Sequence, residues 1–122
     1  MIGTVLSAVA ALALVGLGAG ALVAPERSAQ TYGIASLERD VLAYVRGLGV
    51  RDLVLGALAA LLLIAGKRNA LAALFALAAL AGLADFLIVW RARGAASRDS
   101  LRTHALGTFG LLVLAAILRF HF

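Results

Sequence analysis

The chain has no cysteine, a single proline and only six acidic residues among 122. Without cysteine there can be no disulfide, no thiolate nucleophile and no cysteine-ligated metal. With Pro25 as the only proline, every later segment lacks the residue that most readily breaks a helix. Charged side chains make up 14% of the chain and hydrophobic ones 64%, whereas a soluble domain averages roughly 25% and 45–50%. Too little polar surface remains to cover a soluble globule, and a mean hydropathy of +1.06 places the chain in a bilayer. The two histidines, His104 and His121, flank the last apolar segment at opposite ends. They cannot share a metal, so no metal or other cofactor is expected.

What charge there is leans basic, with a net +5. In a soluble protein that excess would suggest nucleic acid, but here the basic residues sit in short connectors between apolar segments. Membrane topology and anionic headgroups account for them, and no nucleic-acid partner is expected. A span needs about 20 apolar residues, which limits a chain of this length to four or five. Four are read, forming one all-α integral membrane domain over 1–122, a four-transmembrane-helix bundle with spans at about 2–24, 41–66, 70–90 and 101–118.

The first span carries no charge and stops at Pro25-Glu26-Arg27. Ala19-Gly20-Ala21 resembles a signal-peptide cleavage site, but no Lys or Arg precedes the apolar stretch and the stretch is long, so a retained span is expected. Glu26 to Asp40 reads as a polar connector with a turn at Gly33, and Leu37 to Tyr44 as a short interfacial helix leading into the second span. Gly66-Lys67-Arg68-Asn69 is a tight turn that makes the second and third spans antiparallel neighbours. Gly16 and Gly20, four residues apart, predict the packing face of the first span. Arg119-Phe120-His121-Phe122 reads as an interfacial anchor.

Lys and Arg are distributed unevenly. Arg27, Arg39, Arg46, Arg51, Arg91, Arg93, Arg98 and Arg102 lie on the side of the two long connectors, while Lys67, Arg68 and Arg119 lie on the other. The positive-inside tendency then puts both termini on the non-cytoplasmic side of the plasma (inner) membrane, with Trp90 at the cytoplasmic interface.

Two acidic residues stand apart from the connectors. Asp52 lies six residues in from Arg46, and Asp85 six residues back from Arg91. At about 1.5 Å per residue each is roughly 9 Å deep, where a charge costs on the order of 2.5 kcal/mol or more unless paired or protonated. The topology brings Arg46, Arg51, Asp52, Asp85 and His104 to one layer at the cytoplasmic side. Asp52 shares a helical stripe with Gly49, Gly56 and Ala59, and Asp85 with Ala78, Ala81 and Gly82, so both should face the bundle. Arg46 and Arg51 lie about 140° apart on an ideal helix, so only one can face a given neighbour.

Two carboxyls beside an arginine in a low-dielectric site can serve as an acid and a base. Asp52 and Asp85, organised by Arg51 or Arg46, are the catalytic candidates, with Tyr44, His104 and Thr108 placed to orient water or substrate. The chemistry that fits is opening of an epoxide in a lipophilic small molecule, by hydrolysis or cyclisation. Arg51 with Asp85, or Arg46 with Asp52, could equally form a structural ion pair in a non-catalytic subunit, and a membrane carboxylate could serve a proton-coupled transporter. A pocket touching both carboxyls would separate an enzyme from an ion pair. Homodimerisation is left open.

Pro25 after the first span, Tyr32-Gly33-Ile34, the run Arg46-Gly47-Leu48-Gly49-Val50-Arg51-Asp52-Leu53-Val54-Leu55-Gly56 and a lone Asp85 late in the third span are a set. They resemble the small four-helix membrane domain-of-unknown-function family numbered forty-two sixty-seven, of the DoxX-like group. The resemblance covers most of the chain. It implies the four-helix fold and points to Arg46, Arg51, Asp52 and Asp85, without implying an activity and without extending clearly to His104.

Overall fold

The computed structural model describes residues 1–120, with the backbone alone at 95–96; the end of the expected interfacial anchor, His121 and Phe122, lies outside the described residues. Five α-helices follow one another: α1 (Ile2–Val23), α2 (Pro25–Tyr32), α3 (Arg39–Ile64), α4 (Arg68–Arg93) and α5 (Arg98–Phe120), the last two joined by a 3-10 turn (Gly94–Ser97). Among the described residues there is no strand. α1, α3, α4 and α5 are each long and apolar enough to cross a membrane, as expected of a multi-pass membrane protein.

The connector is folded differently from its sequence reading. Its helix is α2, not Leu37–Tyr44, and α3 begins at Arg39 without a side-chain cap. Two residues account for this. Pro25 sits in the first turn of α2, where its missing N–H costs nothing. Gly33 ends the helix in the left-handed region (φ 84°), so that the N–H of Ile34 donates to the Ala29 carbonyl at 2.8 Å and that of Gly33 to Gln30 at 3.1 Å. Buried Ala29 seats α2 on a small apolar cluster with Ala21 of α1 and Val45 of α3.

Gly33 is also tightly enclosed. A Cβ there would come within 2.8 Å of Val89 Cγ1 and 3.0 Å of Ser100 Cβ, on top of the positive φ. Gly33→Ala should therefore lower stability by about 1–3 kcal/mol in a thermal or denaturant titration. A change under about 0.5 kcal/mol would contradict this account, because that is the range of substitutions that touch nothing.

α1 packs closely along α3, and α4 along α5, while the two pairs meet less extensively. The apolar core, built around Phe75 with Leu71, Leu74, Leu114 and Leu118, fills the half of the bundle nearer the α3–α4 turn. The face of α1 that meets α3 is not the one carrying Gly16 and Gly20. Both are exposed, and a Cβ on either would meet nothing within 4 Å. Gly18 takes that role, against Gly49 on α3, while Gly56 on α3 meets Ala11 and Val15 on α1. The buried face of α1 is Ser7, Ala11, Gly18 and Ala21.

Candidate functional site

The half of the bundle beneath α2 holds the buried charges. α3 carries Arg51 and Asp52 side by side, α4 carries Asp85, and the Arg51 guanidinium joins the two carboxyls. Its Nε donates to Asp52 Oδ1 at 3.2 Å and its Nη2 to Asp85 Oδ2 at 3.1 Å. Asp52 is 6% exposed, and its second oxygen accepts a 2.6 Å hydrogen bond from the Tyr32 hydroxyl at the end of α2. A carboxylate at this depth is thus met by a charged donor on one side and a phenol on the other, the pairing that makes such burial tolerable.

Three side chains hold the end of α2 over this cluster. Arg93 Nη1 donates to the Gly33 carbonyl at 2.9 Å, and Ser100 Oγ to that of Gln30 at 3.2 Å. His104 Nε2 lies 3.3 Å from the Tyr32 carbonyl oxygen, which can only accept, so Nε2 is the donor in this contact. The His104 and Tyr32 rings stack at a centroid distance of 6.0 Å and 16° between planes. The carbonyls left over at the C-terminus of a helix are orphans, and here α4 and α5 supply their donors. Tyr32 is thereby aimed at Asp52. Burial, and then the hydrogen bond to Asp52, pushes its phenol well above the ordinary value of 10.0. The protonated form is the bonded one, so the contact persists below pH 10 and is lost only at higher pH.

All five α-helices contribute to a cavity of about 170 Å³ against this cluster, and both Asp52 and Asp85 border it. Its hollow exists because Ala78, Ala81, Gly82 and Gly107 present little or no side chain. Thr108 also borders it. The Thr108 hydroxyl is buried without a hydrogen-bond partner among the described residues, pressed against Gly82, where a Cβ would lie 2.5 Å from it. Buried hydroxyls are rarely left this way.

The structure thus brings Arg51, Asp52, Asp85, His104 and Thr108 together. It does not bring Arg46 or Tyr44, which correct the sequence reading: both are exposed, Tyr44 at 79%, and neither borders the cavity. With Arg51 turned toward α4, Arg46 is carried about 140° away around α3. Tyr44 lies about 12 Å before Asp52 along the helix axis, beyond reach of the carboxyl. The residue that sequence reasoning missed is Tyr32. It was visible only as part of Tyr32-Gly33-Ile34, and its place at the C-terminus of α2 is what turns it inward.

Neither a curated protein nor a solved structure matches the chain. The family model described as Domain of unknown function (DUF4267) matches residues 11–118, a stretch that contains every residue of the cluster and its cavity, and the chain belongs to that family.

Proposed function

We propose that this protein is a small membrane enzyme that opens an epoxide in an apolar substrate, either with water or with a hydroxyl of the substrate itself. The observation that carries the reading is the cavity bordered by both carboxyls. An ion pair serving only to hold helices would be packed dry.

The roles follow from which oxygens are already engaged. Both oxygens of Asp52 accept hydrogen bonds, from Arg51 and from Tyr32. Among the described residues Asp85 accepts from Arg51 through Oδ2 alone, and it borders the cavity. In the proposed cycle the two carboxyls and the guanidinium carry one proton between them, which leaves the set neutral. With that proton on Asp85, its transfer to the epoxide oxygen accompanies cleavage of the C–O bond. The nucleophilic oxygen forms its bond to carbon and releases its proton to Asp52. Passage of that proton from Asp52 to Asp85 restores the starting state, so no proton is gained or lost. Arg51 keeps both carboxyls within one reach. Proton-coupled transport has less support, since the guanidinium between the carboxyls repels a cation. The reading further places both termini on the non-cytoplasmic side of the plasma membrane and the cluster in its cytoplasmic half.

The test is turnover of a panel of lipophilic epoxides by the full chain in phospholipid vesicles. Asp85→Asn should reduce the rate by about 10²-fold or more, as loss of a general acid does. Arg46→Gln and Tyr44→Phe should leave it unchanged. No turnover by the wild type, or wild-type turnover by Asp85→Asn, would sink the proposal.

A further inference from the structure

The cavity at the carboxyls is too small for a lipid. At about 170 Å³ it is close to the roughly 150 Å³ hollow that just holds benzene, and below the roughly 300–1,000 Å³ of ordinary ligand sites. It does not end there. A second, almost wholly apolar groove of about 450 Å³ runs between α1 and α5, and Leu14, Leu17, Gly107 and Leu111 border both. From the acid-base reading and this continuity we infer that the groove holds the tail of the substrate: a single hydrocarbon chain of about twelve carbons whose oxygen function sits in the cavity.

Its dimensions argue for this occupant. The lining extends from Leu17 to Leu6 on α1 and from Leu106 to Ile117 on α5, eleven residue steps on each helix. That is about 16 Å at 1.5 Å per residue. A zigzag chain with bonds of about 1.5 Å advances some 1.25 Å per carbon, so about twelve or thirteen carbons span it. The cross-section suits one chain. Its floor is Ala10, Ala13, Gly107 and Gly110, and a Cβ on either glycine would meet nothing within 4 Å. Its rims are the exposed side chains Leu6 and Phe109. The groove meets the cavity at Leu14 and Leu17 of α1 and Gly107 and Leu111 of α5, one turn of α5 from His104. A chain arriving along it therefore delivers its end into the cavity that both carboxyls border.

The experiment uses the full chain in phospholipid vesicles and a twelve-carbon straight-chain primary alcohol with a photoactivatable diazirine at mid-chain. Labelling should concentrate on α1 and α5 residues of the groove, about tenfold over the lipid-exposed Leu58, Leu61 and Ile88, and unlabelled dodecanol should compete it away. Gly110→Leu and, independently, Ala13→Leu should each abolish the excess. In turnover, the same variants should shift preference from twelve-carbon to eight-carbon terminal epoxides. Even labelling over all lipid-facing residues, or equal capture of a two-chain phosphatidylcholine probe by the groove, overturns the inference. Saturable groove labelling without epoxide turnover upholds the tail site and discards the acid-base chemistry. Epoxide turnover with the same rate at every chain length does the reverse.

Discussion

Arg51→Leu should be among the most damaging single substitutions in this protein, lowering stability by about 3 kcal/mol. The loss is expected to come less from the attraction removed than from what is left behind. Arg51 is the charged donor to Asp52 and the one donor to Asp85 among the described residues, so leucine strands both carboxyl groups across a gap of guanidinium size. Removing one partner of a buried pair costs about 3–5 kcal/mol, and the part-exposed Arg51 and Asp85 place this case toward the lower end. The same reasoning predicts a rescue. Arg51→Leu with Asp85→Leu should recover part of the loss, since the Arg51–Asp85 pair is then apolar at both ends while buried Asp52 keeps only its Tyr32 donor. Denaturant titration of the two single variants and the double variant closes the cycle, with a coupling of about 1–3 kcal/mol expected. Losses that simply add would show that the bridge holds nothing together. The double variant also separates stability from activity, because it should fold and fail to turn over.

The acidic pair was legible because charge is rare in this chain: Asp52 and Asp85 stand out against apolar neighbours, and the spacing of Gly49, Gly56 and Ala59 aims Asp52 inward. The arginine was not, since Arg46 and Arg51 are each near enough in sequence and only the docking of α4 chooses between them. Tyr32 was beyond reach for another reason. An eight-residue helix shows little periodicity, and the tyrosine matters through tertiary bonds from Arg93, Ser100 and His104 to the carbonyls around it. The cavity is hardest of all to foresee. It is made by side chains that are missing, at Ala78, Ala81, Gly82 and Gly107, and small residues read the same whether they admit a neighbouring helix or a ligand. Its walls come from both helix pairs, α1 with α3 and α4 with α5, and their separation is a property of no single segment.

That ambiguity of small residues gives the second large effect, at Gly18. α1 offers Gly16, Gly18 and Gly20 within five residues, and by composition any of them could face a neighbour. The structure distinguishes them sharply. A Cβ on Gly18 would lie 2.5 Å from the Gly49 carbonyl oxygen and 2.5 Å from the Leu53 backbone nitrogen, atoms of a helix that no rotamer change can move aside. α1 would have to withdraw from α3. In a bilayer the lipid tails are as apolar as the helices, so the pair is held by close van der Waals contact, which falls away when a gap of even 0.5–1 Å opens along the seam. Gly18→Ala should therefore cost about 3 kcal/mol, at the upper end for overpacking. Gly16→Ala and Gly20→Ala should be neutral or gain up to about 1 kcal/mol, since each removes a glycine from a helix and adds a methyl to open space. The withdrawal should also reach the site: α3 carries Asp52 and α1 carries Leu14 and Leu17 in the cavity wall, so Gly18→Ala should slow epoxide turnover where Gly16→Ala does not. Equal stability of the three alanine variants would mean that the α1–α3 seam does not run through Gly18.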